Sequence, residues 1–287
     1  RKYSPTADSY ANNTQEEYKT CIQKIKDAGF YVIGRLTTFN DSFFVSDHPE
    51  YAISDAAGDP LYIAGSYWPS AFCRYVWEYK VELAKEAVAL FGFNEIQFDY
   101  VRFPDGTWDY DEAGTIDYRN TNDESRAQAV QRFLQYAADR LHEAGVYVSA
   151  DVFGECAEKY VTAYGQYWAA ISGVVDAIAT DHAPHSEEDK LKGMAGMVGS
   201  ETAFGVCYTK LCKEEGLPLE LLSHLMSTRP AEILGLAKGQ LEPGYDADFV
   251  LVDLDTPYTV DKNKLHSKSH NLSLIHISEP TRLGMIS

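Results

Sequence analysis

The 287-residue sequence lacks most of the short signatures that assign chemistry at a glance. No apolar run approaches the ~18–20 residues that a membrane span needs, which excludes a transmembrane helix. The five cysteines (Cys21, Cys73, Cys156, Cys207 and Cys212) form no CxxC pair and are odd in number. They read as reduced, mostly buried thiols and not as a disulfide framework. None of the eight histidines (His48, His142, His182, His185, His224, His266, His270, His276) belongs to an HxH pair. No glycine-rich phosphate loop follows the first strand-like run, so nothing favours a nucleotide-binding sheet. Basic residues are scarce, with 25 Lys and Arg against 43 Asp and Glu and a net charge of −18. Such a surface argues against nucleic-acid binding, which needs phosphate-neutralising cations. The first residue is Arg1 and not Met, so the true start is expected upstream.

What is present has an ordinary globular balance, 45% hydrophobic and 24% charged. The average hides a break. Of 37 aromatic residues, 32 fall in positions 1–177 and 5 after it, whereas all four Met lie in the second part. Two unlike pieces joined near residue 177 account for this better than one uneven domain.

One motif recurs: an amphipathic helix, a glycine, then an apolar run. Residues 14–28 stop at Gly29 before FYVIGRL, and 74–91 stop at Gly92 before FNEIQFDYV. Residues 123–144 start behind Asn122 as cap and stop at Gly145 before VYVSADVF; 158–172 stop at Gly173 before VVDAIATD. Glycine suits the left-handed position after a helix. Apolar strands alternating with helices predict a parallel sheet covered on both faces, in a (β/α) barrel or a doubly wound sheet. A polar residue closes each strand (Arg35, Asp99, Asp151, Asp181), and in barrels that end carries the active site, so the TIM-type (β/α) barrel is the better reading. About five strands are visible, so the barrel is expected to be incomplete. After Asp181, residues 217–236 read as two short helices, the second opened by Pro230, and GQLEPGYDADFVLVDLD as a small C-terminal β segment.

Alternation in EIQFDYVRFP (95–104) puts Glu95, Gln97 and Asp99 on one strand face, with Tyr100 and Arg102 beside the strand end as substrate-binding candidates. Asp151 in VSADVFGE is a second strand-end acid, with Glu155 four residues on. Two carboxylates across an aromatic-rich cleft is what glycoside hydrolysis needs: one protonates the leaving oxygen, the other attacks or activates water. Trp68, Trp77, Trp108 and Trp168 are candidate sugar platforms, or core and rim packing. A strand-end Asp serves equally as a cap or an ion-pair partner.

The stretches GFYVIGRLTTFND, HPEYAISDAAG, EYKVELAKEAVALFGFNEIQFDYVRFPDG, GVYVSADVFGE and YGQYWAAISGVVD occur in one order. Through them residues 1–177 resemble a bacterial family of glycoside-hydrolase-like proteins, a domain of unknown function expected to be a TIM-type barrel acting on glycans. The second feature, DAIATDHAPHS (176–186), gathers Asp181, His182 and His185. With GSETAFGVCYTKL, LMSTRPAEILGLAKGQLEPGYDADFVLVDLD and YTVDKNKLHSKSHN, it makes residues 175–271 resemble the dihydroorotase family of zinc amidohydrolases, which act on a small cyclic amide. The likeness implies zinc as cofactor, Asp181 as metal-linked catalytic base and His185 as a contact to substrate carboxylate. The HxH pair and carboxylated lysine of that family have no counterpart here, so the zinc site reads as vestigial, Asp181 its one remaining ligand. SLIHISEPTR resembles translated sequencing adapter, which makes 272–287 an artefactual tail.

The whole chain therefore reads as a chimeric, metagenomic hydrolase fragment in three parts: 1–177, 178–271 and 272–287. Three functions compete: a zinc amidohydrolase, a glycosidase using Asp99 and Asp151, and an inactive carbohydrate binder. The amidohydrolase likeness implies a cytoplasmic location, and the glycosidase likeness an exported one.

Overall fold

A computed structural model describes residues 2–10, 15–153, 156, 162–180, 182–192, 198–257, 259–270 and 272. Glu155, Asp181 and residues 273–287 of the expected tail lie outside the described residues. The chain divides into two compact units, 1–176 and 177–287.

The first unit is mixed α/β. Helices α1 (Pro5–Tyr10) and α2 (Gln15–Asp27) precede β1 (Ile33–Thr37), α3 (Ser42–Asp47) and the short strands β2 (Ser54–Asp55), β3 (Tyr62–Ile63) and β4 (Ser66–Tyr67). Then come α4 (Arg74–Phe91), β5 (Glu95–Asp99), α5 (Trp108–Ala113), β6 (Ile116–Asp117), α6 (Arg126–His142), β7 (Tyr147–Ala150) and α7 (Trp168–Ser172). The main sheet is parallel, in the order β1-β5-β7, with Arg35 opposite Gln97 and Gln97 opposite Ser149. Helix α4 matches its expected span, and Gly92 closes it in a left-handed turn at φ 66°. Gly173 departs from that pattern, since it follows α7 in a right-handed conformation.

Other expectations are corrected. Helix α6 is capped by Ser125 and not Asn122: Ser125 Oγ accepts the Gln128 N–H while the Gln128 side chain accepts the Ser125 N–H. That reciprocal box satisfies two otherwise orphaned donors. The sheet is buried on one face only. Ile96, Phe98 and Val148 pack against α4 and α6, with Phe98 edge-on to Phe133 at 5.3 Å. The opposite face carries Arg35, Thr37, Glu95, Gln97 and Ser149, all exposed or half-buried. The strand expected at 174–181 does not form among its described residues, 174–180. Asp176 N donates to Val148 O at 3.3 Å, but the Asp176 carboxylate takes the Val148 N–H at 2.9 Å, a donor that a strand carbonyl would otherwise accept.

The second unit is helical among its described residues. Helix α8 (Glu187–Leu191) is capped by Ser186, and α9 (Ala203–Cys207) runs into a π-helical stretch at Tyr208–Glu214. Helix α10 (Leu219–Ser223), a second π-helical stretch at His224–Thr228 and α11 (Arg229–Ile233) follow, with Pro230 in the first turn of α11 as expected. Val198, Cys207, Leu211, Leu222, Leu225 and Ala231 are among its buried side chains. The β segment expected at 239–255 is absent. Phe249, Val250, Leu251 and Val252 are 70%, 84%, 91% and 46% exposed, and no described strand follows Ala150. β-Branched and apolar residues favour a strand only where a partner completes the ladder. No described helix is long and apolar enough to cross a membrane.

Candidate active site

Three strand ends converge at the C-terminal edge of the β1-β5-β7 sheet. Arg35 leans forward along β1, past its register partner Gln97, and its Nη2 donates to Asp99 Oδ2 at 2.6 Å. The same nitrogen lies 3.5 Å from Asp151 Oδ2. A long side chain reaches such diagonal neighbours where a short one does not. The ladder runs on past β7, with Asp151 N donating to Phe98 O at 2.9 Å, so Asp99 and Asp151 leave adjacent positions of neighbouring strands.

Asp99 is fixed a second time, its Oδ1 accepting the Tyr100 N–H at 2.7 Å. Tyr100 itself holds a left-handed conformation at φ 49°, strained for a residue with a Cβ by about 1–3 kcal/mol. This turn ends β5. Asp151 is held through its backbone. Gln166, almost fully buried, donates from Nε2 to Asp151 O at 3.1 Å and accepts the Phe153 N–H at 3.0 Å.

Arg102 sits deeper than a free substrate-binding arm. It is 8% exposed, donates to Asp105 Oδ1 at 2.7 Å and to Phe103 O at 3.0 Å, and lies over the rings of Phe153, Trp68 and Tyr100. Trp68 and Trp77 are core residues whose indole N–H groups donate to Ile63 O and Ala71 O. Trp108 is 47% exposed and lies 6.4 Å from the Tyr164 ring, which is edge-on to Phe153 at 4.8 Å. These three rings form an open aromatic patch two residues beyond Asp151.

Glu95, on the same sheet face as Asp99, accepts from Tyr31 Oη at 2.9 Å and from Ser149 Oγ. Burial and the adjacent Glu95 carboxylate push the Tyr31 hydroxyl pKa well up. Beside the site, a cavity of about 720 Å³ is lined by Arg35, Asn40, Asp41, Lys80 and Tyr100, together with Leu83 and Phe91. Lys80 is the buried charge the sequence reading missed. Its Nζ donates to Asp41 Oδ2 at 2.6 Å and to Thr37 O at 3.1 Å, and burial lowers its pKa against the pull of Asp41. Its signal was a lysine on the apolar stripe of α4, flanked by buried Val76, Trp77, Val81 and Ala84.

His185 belongs to the second unit, where its carbonyl accepts from Ser269 Oγ at 2.7 Å. The described residues there do not fit the zinc that the amidohydrolase likeness implies. His182 Nδ1 already accepts the Gly199 and Ser200 N–H groups, His266 Nδ1 meets Glu201, and no three His, Cys, Asp or Glu side chains converge among the described residues.

Asp99 and Asp151 thus stand at neighbouring strand ends of a parallel α/β scaffold. The chain belongs to the family described as "Putative glycosyl hydrolase domain", whose model matches residues 2–195. Residues 147–276 match the model of the "Amidohydrolase family". The dihydroorotase of Clostridium botulinum (strain Eklund 17B / Type B) is 54% identical over 99 residues, 34% of this chain and 25% of that protein. The dihydroorotase of Fusobacterium nucleatum is 44% identical over 110 residues, 37% of this chain and 26% of that protein. The chain thus spans about a quarter of the length of these curated relatives. Among solved structures, a hypothetical protein from Ruminiclostridium thermocellum ATCC 27405 is similar at 34% identity and TM-score 0.41, over 48% of this chain and 66% of that one.

Proposed function

We propose that the first unit is a glycoside hydrolase that uses Asp99 and Asp151, the three parallel strands being part of a TIM-type (β/α) barrel. The observation that carries the reading is the single Arg35 nitrogen between the two carboxylates, at 2.6 and 3.5 Å. An acid pair held at one strand-end edge can protonate a leaving oxygen and stabilise the positive charge that builds at the anomeric carbon. Trp108, Tyr164 and Phe153 supply ring faces on which a sugar stacks. Arg35 orients the acids, and the Tyr100 N–H holds the second oxygen of Asp99. The test is hydrolysis of a panel of aryl glycosides by the wild type and by Asp99→Asn and Asp151→Asn. Loss of turnover in both variants supports the reading, and unchanged turnover ends it.

The second unit supports a different statement. Its dihydroorotase likeness takes in about a quarter of that protein's length and the sequence holds no HxH pair, so residues 178–271 are read as a piece of an amidohydrolase joined to the first unit, without cyclic-amide hydrolysis of its own. Hydrolysis of dihydroorotate by the purified chain in the presence of zinc would overturn this. One uninterrupted genomic locus across the codons for residues 170–185 would overturn the joining.

A further inference from the structure

We propose, resting on the glycosidase reading above, that this site cleaves its glycoside with retention of anomeric configuration, Asp99 acting as nucleophile and Asp151 as acid and then base. The argument is one of spacing. Phe98 stands opposite Ala150 in the parallel ladder, and the next backbone hydrogen bond, Asp151 N to Phe98 O, keeps that register to the strand ends. Neighbouring strands lie about 4.8 Å apart, so two acids at adjacent positions on one face start close together. Arg35 sets a ceiling. Because one nitrogen touches both carboxylates, their nearest oxygens are separated by no more than the two contacts laid end to end, about 6 Å. Inverting enzymes hold their carboxyl groups about 6.5–9.5 Å apart to admit a water beside the sugar, whereas retaining enzymes hold them at about 5–5.5 Å. The register, at one strand spacing, favours the short separation, and the shared nitrogen keeps the nearest oxygens below the inverting range.

The roles follow from how each acid is held. Asp99 is 16% exposed and gripped at both oxygens, by Arg35 and by the Tyr100 N–H, which keeps an ionised oxygen in one position. Asp151 is 41% exposed, with its longer contact to Arg35, and so can exchange a proton with water. In the first step an Asp99 oxygen bonds to the anomeric carbon and the carbon–oxygen bond to the leaving group breaks. That electron pair stays on the leaving oxygen, which takes the Asp151 proton and departs as an alcohol. In the second step the Asp151 carboxylate takes a proton from water and the water oxygen bonds to the anomeric carbon. The ester bond to Asp99 breaks, which regenerates the Asp99 carboxylate and the Asp151 acid. The sum is glycoside and water to sugar and alcohol.

The experiment uses the full chain and 2,4-dinitrophenyl glycosides of glucose, galactose and mannose in both anomeric forms, with proton NMR of the first-formed sugar. Retention is expected. The 2-deoxy-2-fluoro analogue of the sugar turned over should then raise the intact mass by one fluorosugar, mapped to the peptide containing Asp99. Because this label is read on the wild type, it does not depend on a variant that folds. Asp151→Ala, checked for native circular dichroism, should lose about 10²–10⁴-fold in turnover of poorly activated glycosides and recover with azide as a glycosyl azide of retained configuration. An inverted first product overturns retention while leaving the two-carboxylate reading intact. A label on any residue other than Asp99 overturns the assignment of the nucleophile. No hydrolysis of any probe removes both this inference and the function on which it rests.

Discussion

Arg35 and Asp99 are joined at 2.6 Å on the diagonal of the β1-β5 ladder, Asp99 lying two residues beyond Gln97, the register partner of Arg35. Charge-assisted hydrogen bonds of this kind contribute about 1.5–3 kcal/mol where they orient a reacting group. Arg35→Leu is therefore expected to lower kcat/KM on an activated aryl glycoside by about ten- to a hundredfold. The Arg35 side chain is 63% exposed, so its loss should change the urea midpoint little. Steady-state kinetics beside a denaturation curve separate the two effects.

Gln166 acts on the same site from behind. It ties Asp151 O to Phe153 N in the interior. Gln166→Leu strands those two backbone groups, a cost of about 1–3 kcal/mol each. The expected result is a lower melting temperature together with a fall in kcat larger than the change in KM, because Asp151 and the Phe153 ring lose their positions together. Native stability in this variant would refute the positioning role.

The buried pair Lys80–Asp41 gives a stability prediction free of any assumption about substrate. Lys80→Ala leaves Asp41 uncompensated and should destabilise the first unit by about 3–5 kcal/mol. Lys80→Met combined with Asp41→Leu should recover much of that loss, since apolar residues of similar volume often replace a buried ion pair without penalty. The recovery is incomplete because Asp41 also caps α3, accepting the Phe44 N–H at 2.9 Å. Urea titration of the two variants distinguishes the outcomes.

Glu201 supplies a pH dependence. The His266 N–H and ring, with the Ser267 N–H, hold its carboxyl down to about 2. A carboxyl with a depressed folded pKa contributes its full stabilisation above the ordinary value of 4.5 and loses it as pH falls from there to about 2. Amide hydrogen exchange at His266 and Ser267 should accelerate, beyond the intrinsic trend, across that window. Glu201→Gln should remove the pH dependence and leave exchange fast throughout.

Thiol reactivity tests the packing. Burial raises the Cys207 thiol to about 12, whereas Cys21 is exposed on α2. Iodoacetamide at pH 8 should modify Cys21 first and leave Cys207 unlabelled until denaturant is added, as read by peptide mass mapping.

Much of the first unit was legible in the sequence. The apolar spacing of 74–91 and the glycine after it predict α4, and the alternation of 95–99 appears as alternating burial in β5. Asp99 and Asp151 could be singled out because both end strands. Arg35 could be noted at a strand end but not paired, since its reach to Asp99 depends on the register between β1 and β5, a long-range property. Lys80 was invisible for a similar reason: its partner Asp41 is supplied by a loop 39 residues earlier. The run 249–252 misled in the opposite direction. It has the composition of a strand, and composition does not provide the neighbour that makes one.

That unpaired run bears on the fate of the chain in a living cell. Four consecutive exposed apolar residues without a strand partner among the described residues are the kind of segment that holdase chaperones bind and that seeds intermolecular cross-β stacking. A polypeptide displaying them is triaged continuously, so its abundance is governed by quality control and proteolysis as much as by its rate of synthesis.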